Sequence, residues 1–470
     1  RQREFIDKHE AASPTAKLES ILITSVIDAK EERDVVTIDI PNAFIQTKVE
    51  NDEDKVIMRM RGRLAEYLVM IAPEIYSPYV MMENGKKVLY CEAQNAVYGT
   101  LKAALLFYKK LVKDLQEYGF ELNPYDICVL NKMVKGKQQT VIFHVDDMKA
   151  SHVDAEVNTD LIEYLRSKYE VDMDGLPKLK AKRGKEHEFL GMTLDFNCKG
   201  KVMVKMTEYV KEMLQEFQPY IKTKTAKTPA ADWLFQTREC NKISEEKAII
   251  FHTMVAKGLF LCKRARPDIH TAIAFLSTRV REPDEDDWKK LIRMMQYLNG
   301  TRELYLTLSA DDTNILKWFI DASYAIHPDM KGHTGAVFTM GEGGIMNKSI
   351  KQKINTRSSS ESELISTYDI MPDALWTKYF IEAQGYTNMR TILGRDNQAT
   401  ILWETNGILS STKRTKHINV RFFFVKDYVE RGEVSLEYVP TDKMWADLHT
   451  KPLQGSKFEQ FRKIVLNLSK

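Results

Sequence analysis

Two kinds of spacing between apolar residues run along this chain of 470 residues and predict its first structural elements. The stretches 35–38 and 141–145 are short and almost continuously apolar, which is typical of buried strands. The stretches 102–118 and 155–169 repeat apolar residues at helical spacing instead, and Gly119 ends the first of these predicted helices. Strands and helices that alternate in this way predict an α+β sheet with helices on one face.

The same pattern divides the chain into three regions. The first region closes with a predicted hairpin of two strands, at 189–196 and 201–205. After a polar stretch come three predicted helices, at 245–261, 267–281 and 284–299. Strands then return, with a long helical pattern among them, which is typical of an α/β domain. We therefore predict three domains, at 1–225, 226–312 and 313–470.

Acidic residues end the two predicted strands of the first region. Asp39 follows the run 35–38, and Asp146 and Asp147 follow the run 141–145. Carboxylates beside buried strands are costly unless a cation lies between them, and Mg²⁺ prefers carboxylate oxygens. Two such ions can stabilise the attacking and leaving oxygens of a phosphoryl transfer. An isolated Asp-Asp pair is more often a strand-to-turn junction, so the interpretation depends on the rest of the chain.

Four more acidic residues lie at the ends of predicted elements in the last region, and these are Asp321, Glu361, Asp396 and Asp447. Several carboxylates together can hold two Mg²⁺ ions, one that activates water and one that stabilises a leaving 3′ oxygen. Each position has an ordinary alternative. An acid in the first turn of a helix stabilises that helix, and aspartate is common in turns.

Composition excludes few classes of function. The formal net charge of +3 is close to neutral, so charge alone does not indicate nucleic-acid binding. The 5 cysteines are scattered without a CxxC pair, which argues against a zinc site or a disulfide framework. No apolar run approaches the ~20 residues that cross a bilayer, and no signal peptide is visible. Because the first residue is Arg, we expect a mature or excised piece of a longer chain.

The order of four short motifs resembles the reverse transcriptases of copia-type LTR retrotransposons. Asp39 with Phe44 five positions later comes first, and Tyr98-Gly99 before a predicted helix comes second. Asp146-Asp147 and then Phe189-Leu190-Gly191 follow in the family's order. The resemblance implies a right-hand polymerase with fingers, a palm with a ferredoxin-like sheet and a helical thumb.

The resemblance also implies roles for individual residues. The metal-binding triad would be Asp39, Asp146 and Asp147. Phe44 would be the steric gate that favours deoxynucleotides, and Tyr98 and Gly99 would lie near the incoming nucleotide and the template. His144 stands where the family has tyrosine, and we interpret it as a core histidine with satisfied hydrogen bonds. The family's basic fingers segment would lie before Arg1, so we expect reduced nucleotide affinity unless Arg1, Arg3 or Lys17 substitutes for it.

Four strings in the last region resemble copia-type ribonuclease H domains, and they lie in order at 358–363, 396–401, 414–421 and 446–453. The implied domain is an α/β ribonuclease H fold, and the implied metal-binding residues are Asp321, Glu361, Asp396 and Asp447. Glu363 is a neighbouring candidate. Because two residues on a helix point ~200° apart when they are two positions apart, only one of the two glutamates can serve. Glu361 matches the family position.

Basic residues cluster at 178–185 and 413–421 without an intervening acid. Such clusters bind phosphate backbones with salt-dependent affinity, although a basic run is often only a solvated surface. We predict that both clusters contact the template–primer duplex. The substrate-binding candidates in them are Lys182, Arg183, Lys413, Arg414, Lys416 and His417.

The predicted function is an RNA- and DNA-directed DNA polymerase with ribonuclease H activity. The implied cofactor is Mg²⁺, two ions in each active site, with Mn²⁺ as an alternative. The implied partners are an RNA template, a DNA primer, the RNA–DNA hybrid and dNTPs, with no membrane; monomer and homodimer stay open. We expect a cytoplasmic virus-like particle whose DNA product is destined for the nucleus. The alternatives are an inactive or domesticated hybrid-binding remnant and a protein with nuclease activity alone.

Overall fold

The computed structural model describes residues 12–50, 54–170, 178–406 and 416–468. The helices are α1 (Leu18–Lys30), α2 (Arg63–Ile71), α3 (Pro73–Tyr76), α4 (Ala103–Glu117), α5 (Ala155–Tyr169), α6 (Thr207–Ile221), α7 (Glu245–Arg264), α8 (His270–Ser277), α9 (Glu285–Gly300), α10 (Ser359–Glu382), α11 (Gln398–Asn406), α12 (Lys416–Glu430), α13 (Asp447–Thr450) and α14 (Gly455–Leu466). None of the helices in these ranges has the length and apolar character needed to cross a bilayer.

The strands form four sheets within the described ranges. They are β1 (Asp34–Asp39), β2 (Val56–Arg61), β3 (Met81–Glu83), β4 (Lys86–Ala93), β5 (Glu121–Asn123), β6 (Asp126–Val134), β7 (Lys137–His144), β8 (Asp147–His152), β9 (Lys180–Arg183), β10 (Glu186–Phe189), β11 (Met192–Asp195), β12 (Lys201–Lys205), β13 (Leu306–Ala310), β14 (Ile315–Ser323), β15 (His333–Thr339), β16 (Gly341–Glu342), β17 (Met346–Lys351), β18 (Arg390–Arg395) and β19 (Ser435–Tyr438).

The first sheet is antiparallel, with the strand order β5-β6-β7-β8-β1-β9. Strand β7 is central and buried along most of its length, which explains the continuous apolar run that predicted it. Helix α5 packs against β8 and β1, as the predicted sheet with helices on one face requires. A smaller sheet, β2-β4-β3, carries α2 and lies between β1 and α4 in the chain.

The second sheet, β10-β11-β12-β13-β16, crosses the predicted domain boundaries. Strand β13 pairs with β12 of the first region and with β16 of the last region through backbone hydrogen bonds. The predicted single strand 189–196 is wrong, because the chain turns at Leu190 and Gly191 between β10 and β11. Both turn residues have positive φ, 51° and 77°, which suits a tight two-residue hairpin with glycine at its second position.

The helical middle of the chain follows the prediction with shifted ends. Helix α7 begins at Glu245 as predicted and continues to Arg264. The second predicted helix is shorter, because a 3₁₀ turn at Pro267–Ile269 precedes α8. Asp284 is the N-cap of α9 and forms a capping box with Asp287. Each side chain in the box accepts a hydrogen bond from a backbone N–H that the first turn leaves without a helical partner.

The third sheet, β17-β15-β14-β18-β19, is mixed. Strand β14 is antiparallel to β15 and parallel to β18, and β18 is parallel to β19. Helix α10 packs across β14 and β15 and continues through Pro372. Asp321 lies inside β14 rather than at its end, because the strand continues to Ser323. This order, an α+β polymerase-like region, a helical segment and an α/β domain, confirms the fold class predicted from the sequence.

A buried polar contact joins the first sheet to the last domain. Arg33, which is 3% exposed, pairs with Asp28 and Glu31 beside β1. Its Nη2 donates a hydrogen bond of 3.0 Å to Tyr386 Oη, which in turn donates one of 2.7 Å to Glu31 Oε1. Because a buried charge is costly without partners, this contact fixes where the last domain sits against the sheet.

Four buried histidines lie where the helical segment meets the third sheet. His327 Nε2 and His333 Nδ1 are 2.9 Å apart, and His333 Nε2 is 2.8 Å from Ser349 Oγ. The rings of His270 and His449 pack edge to face. Burial lowers the pKa of His270 to about 3, with the charges of Lys263 and Lys348 adding to the effect. Burial also lowers the pKa of the other three histidines.

We expect His270 to make the protein less stable in mild acid. Below its ordinary pKa the unfolded chain takes up a proton at this ring and the folded chain does not, so stability falls as pH falls. Between about pH 7.5 and about pH 5.5 this group should cost up to about 1.4 kcal/mol. The pH-dependent loss of Tm should therefore be smaller in His270→Gln than in the wild type. The exposed His252 is the control, and an equal reduction in His252→Gln would contradict the assignment.

Candidate functional site

A row of charged and polar residues crosses the first sheet at the end of β1. Asp39 is directly opposite Asp147 of β8 on one side and Lys180 of β9 on the other, and Asp147 is opposite His144. Residues directly opposite each other lie on the same face of a sheet. The structure thus brings two of the three predicted carboxylates together on one face.

The third carboxylate, Asp146, lies in the two-residue turn between β7 and β8. The turn consists of Val145 and Asp146, and Val145 has a φ of 61°. A β-branched residue rarely adopts positive φ, and such a conformation costs of order 1–3 kcal/mol. The strain is the cost of a turn short enough to place two adjacent acids beside Asp39.

Aromatic rings adjoin these carboxylates. Tyr98 Oη is 3.5 Å from Asp146 Oδ2, and the centroid of its ring is 4.4 Å from that of Phe44. Phe44 is only 7% exposed, whereas Tyr98 is 62% exposed, so Tyr98 is the ring that solvent reaches at this site. Gly99 has a φ of 88°, a conformation that favours glycine. The predicted residues Phe44, Tyr98 and Gly99 therefore do lie beside the triad.

Of the three carboxylates, Asp147 carries the pKa shift. Desolvation raises the pKa of Asp147, and the charges of Asp146 and Asp39 raise it further. Desolvation and the same two acids raise the pKa of Tyr98. Mutual repulsion of this kind is relieved by a hard cation, so the donor set fits Mg²⁺. His144 Nδ1 is buried without a hydrogen-bond partner in the described part of the chain, so the prediction of a satisfied histidine is wrong for that atom.

A tighter acidic cluster lies on the third sheet. Ligand oxygens of Asp321, Glu363 and Asp396 all lie within 4.8 Å of one another. Among the described residues this is the single group of three potential ligands that close together, and its all-oxygen donor set fits one hard cation. The three residues line an open depression of ≈ 550 Å³ together with Gln398, Tyr438 and Lys451.

Glu363, and not Glu361, belongs to this cluster, so the sequence-based choice between the two is corrected. Glu361 Oε2 accepts a hydrogen bond of 2.7 Å from the backbone N–H of Arg357, at the start of α10. The two side chains diverge by ~200° around the helix, so only Glu363 faces the sheet. One signal in the sequence points to it: Glu363, Thr367 and Ile370 share the spacing of one buried helix face.

A buried arginine holds Glu363 in place. Arg395, which is 0% exposed, donates hydrogen bonds to Glu363 Oε2 at 2.7 Å and to the backbone O of Glu363 at 2.8 Å. Burial raises the pKa of Glu363; Arg395 opposes the shift, and Asp321 and Asp396 add to it. Burial also raises the pKa of Asp321. Sequence reasoning missed Arg395, because its partner is 32 positions away on another element.

Asp447 lies beside the cluster with both of its oxygens occupied by lysines. Its Oδ1 is 2.6 Å from Lys451 Nζ, and its Oδ2 is 2.8 Å from Lys457 Nζ. Burial alone would raise the pKa of Asp447, but the two lysines lower it. Asp447 is thus next to Asp321 as predicted, but it is not among the three clustered ligands.

The two basic residues on β9 face opposite sides of the sheet. Lys182 is opposite Thr37 and therefore shares the face of Asp39, two positions along the strand. Arg183 instead donates hydrogen bonds to the backbone O of Ala155 and to Thr159 Oγ1 on α5, at 3.1 and 2.7 Å. Arg183 thus lies on the face opposite Asp39, against α5, and its contact with the duplex stays a prediction.

The structure describes only part of the remaining basic candidates. Lys413 and Arg414 lie outside the described residues, as do Arg1 and Arg3. For Lys416 and His417 the structure describes the backbone, which begins α12. Lys17, a predicted substitute for the fingers segment, donates a hydrogen bond of 3.2 Å to the backbone O of Tyr125, at the beginning of α1.

Comparison with known proteins agrees with the resemblance read from the motifs. The family model described as "Reverse transcriptase (RNA-dependent DNA polymerase)" matches residues 1–232. The chain is 26% identical over 472 residues to "Retrovirus-related Pol polyprotein from transposon TNT 1-94" of Nicotiana tabacum, which covers 99% of this chain and 33% of the relative. It is 25% identical over 470 residues to the corresponding polyprotein from transposon RE1 of Arabidopsis thaliana, which covers 98% of this chain and 29% of the relative.

The chain spans about a third of the length of these two curated relatives. Among solved structures, an LC11-RNase H1 in complex with RNA/DNA hybrid has a TM-score of 0.22 and 14% identity, over 28% of this chain and 92% of that chain. A Prototype Foamy Virus Protease-Reverse Transcriptase also has a TM-score of 0.22, with 15% identity over 95% of this chain and 48% of that chain. The sequence relatives alone confirm the resemblance to copia-type Pol polyproteins.

The opposite orientations of Lys182 and Arg183 generate a testable difference in duplex binding. We expect Lys182→Ala to weaken binding and to reduce the slope of log affinity against log salt concentration by about 1, because one phosphate contact is lost. Arg183→Ala should leave the slope unchanged and lower Tm, because it removes hydrogen bonds to α5. Fluorescence anisotropy over a salt series measures the slope. Equal slopes for Lys182→Ala and the wild type would contradict the assignment.

Proposed function

We propose that this chain, a homologue of copia-type Pol polyproteins over nearly its full length, is an active reverse transcriptase with ribonuclease H activity. The observation that carries the polymerase part is the opposition of Asp39 and Asp147 on neighbouring strands, with Asp146 in the adjoining turn. The observation that carries the nuclease part is the cluster of Asp321, Glu363 and Asp396. The polymerase would extend a DNA primer on RNA and DNA templates, and the nuclease would cut RNA in the hybrid.

The polymerase chemistry rests on the sheet face of Asp39. When bound, Mg²⁺ would neutralise charge on the nucleotide phosphates and favour the attacking form of the primer 3′ hydroxyl. Asp39, Asp146 and Asp147 would hold the ions. Tyr98 would orient Asp146 through its hydroxyl, and Phe44, the steric gate that the resemblance implies, would act on a ribose 2′ hydroxyl through the Tyr98 ring that packs against it. Gly99 would let the nucleotide or the template approach the backbone closely.

The nuclease chemistry rests on the depression above the third sheet. Mg²⁺, or Mn²⁺ in its place, would activate the attacking water and stabilise the leaving 3′ oxygen. Asp321, Glu363 and Asp396 would hold one ion, and Asp447 would join Asp321 in holding a second. Arg395 would keep Glu363 aimed at the cluster by binding its second oxygen.

The wider proposal follows the relatives. The partners would be an RNA template, a DNA primer, their hybrid and dNTPs, as monomer or homodimer. The place of action would be a cytoplasmic virus-like particle, with the DNA product destined for the nucleus. The domains at 1–225, 226–312 and 313–470 would be the fingers and palm, the thumb or connection and the ribonuclease H domain. A hybrid-binding remnant without catalysis and a nuclease without polymerase activity are the competing functions.

Variants at the two sites should separate the two activities. We expect Asp146→Asn to lower primer extension on an RNA template with Mg²⁺ by about 100-fold or more and to leave hybrid cleavage intact. Asp321→Asn should do the reverse. Extension is followed on a labelled primer and cleavage on a labelled RNA strand of the same duplex. Extension that survives Asp146→Asn would contradict the polymerase site, and a wild type inactive in both assays would favour the remnant.

The two glutamates of α10 form a matched pair for the nuclease site. We expect Glu363→Gln to abolish most hybrid cleavage, because it removes a carboxylate from the cluster. Glu361→Gln should retain cleavage and lower Tm slightly, because it weakens a hydrogen bond to a backbone N–H near the helix start. Both substitutions keep the side-chain shape and remove one charge. Loss of cleavage in Glu361→Gln with full cleavage in Glu363→Gln would contradict the assignment.

A further inference from the structure

A lysine lies between two acidic residues of the proposed nuclease site. Lys451 directly follows α13, and its Nζ is 2.6 Å from Asp447 Oδ1 and 3.3 Å from Asp321 Oδ2. Its side chain is 38% exposed, so the ammonium is reachable from the depression that Asp321 and Lys451 both line. The ammonium therefore fills the gap between these two carboxylates.

The charges around the site divide into two halves. On one side, Asp321, Glu363 and Asp396 bring their oxygens within 4.8 Å of one another. On the other side, Lys451 and Lys457 occupy the two oxygens of Asp447, which is 0% exposed. The first half presents a site for a cation, and the second half already contains cations.

Close packing restricts the movement of α13 and of the Lys451 backbone that follows it. Helix α13 packs against β15 at Gly335, where a Cβ atom would lie 2.5 Å from Thr450 Cγ2 and 2.8 Å from the backbone O of Ala446. The hydroxyl of Thr450 also donates a hydrogen bond to Asp321. A close approach of this kind fixes the backbone on both sides of Asp447, so only the Lys451 side chain is left to move.

We propose that the ammonium of Lys451 occupies the site of a second divalent ion, between Asp321 and Asp447, until nucleic acid binds. This inference rests on the proposed nuclease function. Without a hybrid, the site takes one divalent ion at Asp321, Glu363 and Asp396. A phosphate of the bound hybrid offers the ammonium a new partner, and the side chain then leaves the gap to a second ion.

The physical reason is competition between cations for the same oxygens. Two carboxylates that face one gap repel each other, and an ammonium between them removes that repulsion without a metal. A divalent ion must displace the ammonium before it can bind. Its binding free energy is therefore less favourable by the free energy of that ion pair. The ordinary alternative is a salt bridge that only stabilises α13. In that case loss of the lysine would change Tm and leave metal binding unchanged.

Counting bound Mn²⁺ by electron paramagnetic resonance tests the proposal without any catalytic readout. The full chain would carry Asp39→Asn and Asp146→Asn to remove ions from the polymerase site. We expect one ion per chain in this background. When Lys451→Met is added, a second ion should bind, with an affinity at least about tenfold higher than the background chain has for a second ion. A hybrid with non-cleavable RNA should bring the second ion to the background chain itself.

Two controls decide what a positive or negative result means. Lys457→Met removes the lysine that contacts Asp447 alone and should leave the count at one, and Lys451→Arg should behave like the background. An unchanged count and affinity in folded Lys451→Met would overturn the proposal. If the background chain binds no ion, or if Glu363→Gln does not remove the ion that it binds, the proposed nuclease site itself fails.

Discussion

The antiparallel pairing of β1 with β8 is the constraint on which the polymerase-like half of this protein depends. A slip of one residue would turn every side chain of β1 to the other face and separate Asp39 from Asp147. Arg33, the residue directly before β1, opposes such a slip, because its buried guanidinium donates hydrogen bonds to Thr140 and Gln138 of β7. A slipped register would leave a charge inside the protein without a partner, which costs several kcal/mol.

Both acidic sites bring several carboxylates together, and the repulsion between these charges is reduced differently at each site. The carboxylates around Asp39 lie where strands end and are only partly buried; Tyr98 donates a hydrogen bond to Asp146, and desolvation together with repulsion from Asp146 and Asp39 raises the pKa of Asp147. The carboxylates around Asp321 are more deeply buried, and the protein supplies Arg395 and Lys451 as internal counter-ions. A buried charge needs such partners, whereas a partly exposed charge is stabilised in part by water.

The first and last regions of the chain are not structurally independent. Strand β13 joins strands from the first and last regions in one sheet, and Arg33 binds Tyr386 across the interface. The positions of both sites therefore depend on contacts between residues that are hundreds of positions apart in the chain.

The spacing of apolar residues predicted most of the helices and strands, and the short motifs predicted the family resemblance. Helix α5 has the bounds that the apolar spacing predicted, and Asp39 ends its strand as expected. Four ordered motifs in each half were enough to indicate the family, because each motif is a short run of neighbouring residues that can be recognised without the fold. Contacts in the fold settled what the spacing left open: Glu363 rather than Glu361 joins the acidic cluster, Lys182 rather than Arg183 shares the face of Asp39, and Lys451 lies between two acids. The reason is that the face a residue presents depends on what packs against its element, and that partner lies far away in the sequence.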